Sequence, residues 1–278
     1  MLKDHSLSHS LNKVWENYSQ QVHSSRNKSS SRNIHLLRVS TQRLEALLTL
    51  ANSVKSTKGS KNIIYLIKKV RKSLGPLRDI QVESKALKIL KEKRTKFAEH
   101  EEFSNFFVKQ KRKSKKKAHK CLNEISLKQE KSHVEKLVKK LFVVEEDKGK
   151  KEIQLQLKTK IKKSALKLNS AMHKVNPKRV KDIHRFRVQA KKLRYQAECL
   201  NSLAGDTNVE LKNLKNVQSV AGRIQNDSVL LATIDKFLAK KKHNKDLQLL
   251  TIRKQVAGNQ AKLINTDFKK IDTLKWQN

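Results

Sequence analysis

Helix breakers are scarce in this chain: 278 residues include only 6 glycines and 2 prolines. So few forced stops disfavour a fold of many short strands and tight turns, and favour long helices. The two cysteines, Cys121 and Cys199, stand in no Cys-x-x-Cys or Cys/His ligand spacing. That excludes a disulfide scaffold and a zinc framework, and two buried thiols in a reducing compartment are expected. Aromatic residues are 5% of the chain, too few to line a stacking platform for single-stranded bases. No run approaches the ~20 apolar residues of a membrane span, and no apolar segment follows the first residues as in a secretory signal. A cytoplasmic location without membrane contact is therefore expected. Acids are the other shortage: 25 Asp+Glu stand against 65 Lys+Arg, a net charge of +40. Self-repulsion at that charge opposes compaction, so a bound polyanion is expected to supply countercharge.

The sequence contains a pattern that occurs twice. His35-Leu-Leu-Arg38-Val39-Ser-Thr-Gln42-Arg43-Leu44 has a second version in His184-Arg-Phe-Arg187-Val188-Gln-Ala-Lys191-Lys192-Leu193. Each is followed by a basic segment and an aspartate, Arg78-Asp79 and then Asn226-Asp227. In the first version Ile34, Leu37, Thr41, Leu44, Leu48 and Ala51 keep a 3-4 rhythm. In the second, Ile183, Phe186, Ala190, Leu193, Ala197 and Leu200 do the same. Both read as buried helical seams. His35, Arg38 and Gln42, like His184, Arg187, Lys191 and Arg194, lie one position after a seam residue. One residue is about 100° around a helix, so this cationic row flanks the buried stripe, where a groove wall would be.

The remaining chain reads as an all-α array. A first helix over ~6–24 carries Leu7, Leu11, Trp15 and Tyr18, and the Ser/Asn/Lys-rich 24–33 reads as a linker before the seam helix that opens near Arg32. Gly59 separates a helix at ~61–74 that Gly75-Pro76 stops; further helices are expected at ~79–97, ~100–127 and 132–146. Gly149 divides the chain into halves 6–148 and 150–270 of one domain. After it come Ile153, Leu157 and Ile161, a break at Asn176-Pro177, punctuation at Gly205-Asp206 and Gly222, and helices at ~208–221, ~226–240 and ~244–268. Phe142-Val143-Val144 is too short to read as a strand.

These motifs resemble the CHAD family (the conserved histidine α-helical domain). The family's first signature, His-x-x-Arg-Val-x-x-Arg-Arg-Leu-Arg, is matched by His35, Arg38, Val39, Arg43 and Leu44. The chain departs at Gln42 and Glu45, where the family usually has basic residues. The second signature is matched closely by His184, Arg187, Lys191, Leu193, Arg194, Tyr195 and Glu198. A Leu-Gly-x-x-Arg-Asp motif appears as Leu74-Gly75-Pro76-Leu77-Arg78-Asp79, and its later counterpart, Ala221-Gly222 through Asn226-Asp227, is degenerate and one residue longer. The resemblance spans nearly the whole chain. It implies a bundle of two pseudo-symmetric halves around a basic central channel that binds inorganic polyphosphate, without catalysis by this domain. Some members are fused to triphosphate-processing enzymes or targeted to polyphosphate granules; with no room for a fused catalytic domain, this chain is expected to be a stand-alone member, associated with such granules in the cytoplasm.

The residues expected to hold the polymer are His35, Arg38, Arg43, Lys69, Arg71, Lys72, Arg78, His184, Arg187, Lys191, Lys192 and Arg194. Arg can fork two donors onto phosphate oxygens, and Lys acts as a mobile charge. His35 and His184 are read as charged donors to phosphate or as residues holding the first turns of their helices. A shared metal is a third option, although no carboxylate recurs beside them. Asp79 reads as a helix cap or as the ion-pair partner of Arg38. Lys109, Lys111, Arg112, Lys113, Lys115, Lys116, Lys117 and Lys120 crowd one stretch without an acid: either an anion lies along it or it frays. Lys162, Lys163 and Lys167 are a weaker counterpart. No cofactor, metal or catalytic residue is expected. Binding of nucleic acid or other polyanions is the chief alternative, and metal-assisted phosphatase activity a second.

Overall fold

The computed structural model describes residues 6–92, 101–204, 211–240 and 246–271. Nine α-helices account for most of them: α1 Leu7–Asn27, α2 Ser31–Val54, α3 Lys58–Glu92, α4 Glu101–Asn123, α5 Leu127–Lys148, α6 Lys150–Met172, α7 Val180–Ala204, α8 Leu211–Leu238 and α9 Leu247–Lys262. A π-helical turn, Leu263–Phe268, and a last turn, Lys269–Ile271, follow. No strand occurs among the described residues, and Phe142-Val143-Val144 lies within α5. No helix among them is long and apolar enough to cross a membrane.

Both seams are buried along their full length. Ile34, Leu37, Leu44, Leu48 and Ala51 of α2 are inaccessible, with Thr41 beside them, and Ile183, Phe186, Ala190, Leu193, Ala197 and Leu200 of α7 are buried in the same way. α2 packs against α1, α3 and α7, while α7 packs against α6, α8 and α2. The main core therefore takes side chains from both sides of Gly149. A second core gathers Ile80 and Leu87 of α3, Phe103, Phe106 and Phe107 of α4, Ile234 and Phe237 of α8, and Leu249, Ile252 and Val256 of α9. Phe103 and Phe106 meet Phe237 edge-on at 5.0 and 5.4 Å between ring centres.

Four boundaries differ from the sequence expectation. The 24–33 linker shrinks to three residues. Ser30 caps α2 by accepting from the Asn33 amide at 3.0 Å, and Asn33 Nδ2 donates to the Ser24 and Lys28 carbonyls at 3.0 and 2.7 Å. Polar side chains read as loop formers thus serve as caps that bring the two helices close. Gly59 falls inside the first turn of α3, and the α2–α3 break lies at 55–57. Gly75-Pro76 does not stop α3, and Gly222 does not interrupt α8. Pro76 cannot donate to the carbonyl four residues back and its ring crowds that turn. The turn is supported from outside, because Arg38 Nη1 donates to the Arg71 carbonyl at 2.7 Å. Among the described glycines, Gly149 is the one with a positive φ, 79° between α5 and α6. The expected Gly205-Asp206 punctuation, the end of the ~79–97 helix and the first residues of the ~208–221 and ~244–268 helices lie outside the described residues.

A long-range cap closes the first half. Glu145 of α5 accepts from the Leu7 amide at 2.5 Å and from Ser8 Oγ at 2.6 Å. A carboxylate at the positive end of α1 stabilises it and fixes α5 beside it.

Leu193→Ala removes a side chain that is 2% exposed from the α7 seam and should lower unfolding free energy by about 2–5 kcal/mol. Chemical denaturation checks this; a loss near zero would show that the seam can collapse around the gap.

Candidate functional site

The flank rows of α2 and α7 meet where the two helices pack together. Arg38 and Arg187 are half-buried, and each lies over a glycine of the neighbouring helix. The Arg38 guanidinium is 3.8 Å from where a Cβ of Gly75 would stand, and the Arg187 Nε is 3.5 Å from that of Gly222. The two Leu/Ala-Gly motifs therefore make matching contacts in the two halves. Small residues there leave room for a guanidinium to lie against helix backbone.

Around this pair the charges of α2, α3 and α7 act on one another. The Arg38 guanidinium is pushed down by burial. Asp79 opposes that shift, and Arg71, Arg78 and Arg187 add to it. Arg187 is pushed down by burial, opposed by Tyr195 and Asp79. Lys191 is the extreme case. Burial first, then Arg187, Arg38, Arg194 and Arg71, push its ammonium from 10.5 to about 7. No hydrogen bond or ion pair joins Lys191 to any described residue, and the Tyr195 ring centre lies 5.9 Å from its Nζ. The Nε of Arg187 is likewise buried without a hydrogen-bond partner. His35, on the rim, is lowered by desolvation and then by Arg78, Lys191 and Arg38, so without an anion it favours the neutral ring.

Asp79 is the acid in this field. It lies inside α3 rather than at a helix start, so it does not cap. Burial raises its carboxyl, while Arg38, Arg78 and Arg187 pull it down. No ion pair closes onto it among the described residues, so the alternative reading, a bridge to Arg38, does not form either. Asp227, its counterpart, is raised to about 6 by burial, with Arg223 opposing. Arg223 in turn binds Asp267 at 2.7 Å.

The structure gathers some of the expected cations and separates others. Arg38, Arg78, Arg187, Lys191 and Arg194 share one field, with His35 at its edge. Arg71 belongs to it but is tied: Nη1 lies 2.6 Å from Glu45, which Lys68 also approaches at 3.4 Å. Arg194 is paired with Glu198 at 3.5 Å and lies over the Tyr195 ring. Arg78 donates to Ser31 Oγ at 3.0 Å. Arg43 is exposed further along α2, where its charge bears on Tyr195 and Cys199 of α7. Lys72 and Lys192 are exposed, Lys192 acting on Lys160 of α6. His184 is exposed near the start of α7, without a hydrogen bond or ion pair to a described residue.

Lys69 does not join the site. It faces Glu124 at 3.9 Å and lines a separate cavity with Cys121, Glu130 and His133. Residues 68–72 turn through more than one helical revolution, so their charges cannot share one face. The cysteines are half-buried rather than fully enclosed.

Sequence reasoning missed Lys160. Its Nζ donates to the Thr49 carbonyl at 3.3 Å, and burial followed by Lys192 lowers its ammonium. It precedes Ile161, on the other side of the α6 stripe from the flank rule that found Arg38. Lys162, Lys163 and Lys167 are exposed.

The sequence profile of the CHAD domain matches residues 7–235. The fold is similar to the crystal structure of the CHAD domain from the plant Ricinus communis. The TM-score is 0.68 at 16% identity, with 100% of this chain and 96% of that chain covered. No curated protein matches the chain. The fold and its clustered guanidinium groups define a strongly basic, all-α helical protein. The chain belongs to the CHAD domain family.

The Lys191 shift sets a pH dependence. Unfolded, the ammonium titrates near 10.5, and folded near 7. Between those values the unfolded chain binds the extra proton, so this group makes stability rise with pH across that window. An anion favours the charged form and reverses the shift. If tripolyphosphate binds here, its addition at pH 8 should therefore draw a proton from buffer, and its affinity should fall as pH climbs above 7. Calorimetry in two buffers of different ionisation heat reads the uptake. It should fall in Lys191→Met, the remainder being what His35 takes up, and equal uptake in both proteins would contradict the assignment.

Proposed function

We propose that this chain binds inorganic polyphosphate, without turning it over, in a cationic cleft between its two helical halves. The observation that carries the reading is Lys191, an ammonium withdrawn from solvent among four arginines with no fixed carboxylate to neutralise it. Burying unpaired cations is costly, and a site arranged this way gains stability when a multivalent anion enters. Membership of a family linked to polyphosphate binding supports the same reading. A phosphate chain has no bases to read, so recognition rests on closely spaced oxygens. Arg38 and Arg187 offer forked donors from α2 and α7, Lys191, one turn after Arg187, adds a point charge, and His35 gains its proton as the anion approaches. Affinity comes largely from counterion release and falls steeply with salt. Matching donors from α2 and α7 would give the halves a shared, pseudo-symmetric role. Phosphate chains, unlike a duplex, are thin enough to enter between packed helices. A cytoplasmic setting, with concentration at polyphosphate granules, fits such a protein.

Arg187→Ala combined with Lys191→Ala should weaken polyphosphate binding about tenfold or more. It should also flatten the salt dependence by roughly 0.7 in slope for each phosphate that the variant no longer neutralises, with the helical circular-dichroism signal unchanged. Duplex DNA or RNA should fail to displace long-chain polyphosphate at equal phosphate concentration. Efficient displacement would favour the nucleic-acid reading. Release of phosphate over hours with Mg²⁺ or Mn²⁺, abolished by substitution of His35 or His184, would mark the protein as an enzyme instead.

A further inference from the structure

We infer that the outer face of α4 is a continuation of the anion site that makes binding depend on polymer length; this rests on the polyphosphate reading above. Eight Lys and Arg residues lie between Lys109 and Lys120 with no acid among them, and all eight are exposed. None takes part in an ion pair or hydrogen bond with a described residue. The segment nevertheless forms a regular helix, because its other face is held in both cores: Phe103, Phe106 and Phe107 at one end, Ala118 and Leu122 at the other. Packing thus supports a helix that its own charges would fray. At 1.5 Å rise per residue the eight cations span about 16 Å, close to one charge per 2 Å. That density approaches the one charge per 1.7 Å of duplex DNA with the sign reversed.

Two sets of contacts place α4, by its inner edge, beside Asp79 and the α1–α2 turn. Gln110 and Ser114, on the inner edge of α4, line a cavity of about 180 Å³ together with Pro76 and Asp79 of α3. Asp79 is the acid that acts on Arg38 and Arg187. Further along, His119 Nε2 lies 3.0 Å from Ser29 Oγ, and Arg26 Nε and Nη2 donate to the Leu122 and Ile125 carbonyls at 3.0 and 2.6 Å. Ser29 is two residues from Ser31, the acceptor for Arg78 in the cleft, and the exposed Lys28 and Arg32 flank the pair. A basic surface therefore runs from His35 and Arg78, across the α1–α2 turn, onto Lys116 and Lys120 of α4. A chain seated on Arg38 and Lys191 leaves the cleft directly onto it. A second contact on the same chain is intramolecular and multiplies affinity without new chemistry.

The test compares tripolyphosphate with long-chain polyphosphate on the full chain, by calorimetry at two salt concentrations. The variant replaces Lys113, Lys116, Lys117 and Lys120 with Gln, leaving the buried face of α4 intact; a second variant replaces the same four with Arg. Wild type should prefer the long polymer. The Gln variant should hold tripolyphosphate within about twofold of wild type yet bind the long chain about tenfold or more weakly, a modest share of the gain that linked sites provide. The Arg variant should keep the preference.

The inference is overturned if the Gln variant retains full long-chain affinity, including the case where only duplex DNA binding falls. It is equally overturned if both polymers weaken together, if the Arg variant weakens as much as the Gln variant, or if wild type shows no preference for length. The cleft reading fails by a different result: Arg187→Ala with Lys191→Ala leaving tripolyphosphate binding intact.

Discussion

The structure depends on holding Arg38 and Arg187 half out of water where α2 and α7 pack together. Like charges brought together and partly desolvated raise the energy of the folded chain, and every neighbouring feature bears on that cost. Asp79 offsets some of it without closing an ion pair. Lys191 responds by giving up its proton near neutral pH. The remaining charge has no counterion among the described residues that meet it. On the proposed function, stability and binding would be coupled through the same groups: an anion that recharged Lys191 would also relieve the repulsion among these cations.

The rare helix breakers serve this arrangement. Pro76 lies within α3, and the carbonyl next to the position it disturbs accepts from Arg38. Gly75 and Gly222 lie beneath the two guanidinium groups, where a larger side chain would compete for the space. In both halves the glycine is a point of close approach inside a continuous helix rather than its end. Acids are placed with similar economy. Glu45 holds Arg71 and Lys68, Glu124 faces Lys69, and Glu145 caps α1 from a helix 138 residues away. Glu45 stands where the CHAD signature usually has a basic residue, so in this chain Arg71, one of the clustered arginines, carries its own counterion.

Much of the fold was legible because burial follows period. The six seam positions from Ile34 to Ala51, and the six from Ile183 to Leu200, are buried as their spacing requires, and the row one residue later brings Arg38, Arg187 and Lys191 into one electrostatic field. The same rule says nothing across helices. Sequence proximity groups Lys69 with Arg71, although about 200° of helical rotation separates them. The likeness of Gly75-Pro76 to a stop makes Asp79 look like a cap. Nothing local points to Lys160, whose partner carbonyl belongs to Thr49, 111 residues away.

By itself the sequence determined the helical class, the doubled His/Arg pattern and an excess of positive charge that no internal acid can balance. Those follow from composition and from the local helical period of about 3.6 residues, which needs no knowledge of neighbours. Tertiary structure alone decided which cations share a field and which are paired away. It also decided that two breaker motifs would remain inside long helices and that Lys191 would lose its proton at about pH 7. Each of these depends on distances and burial between segments remote in the chain, and electrostatic energy is set by those distances rather than by order along the sequence.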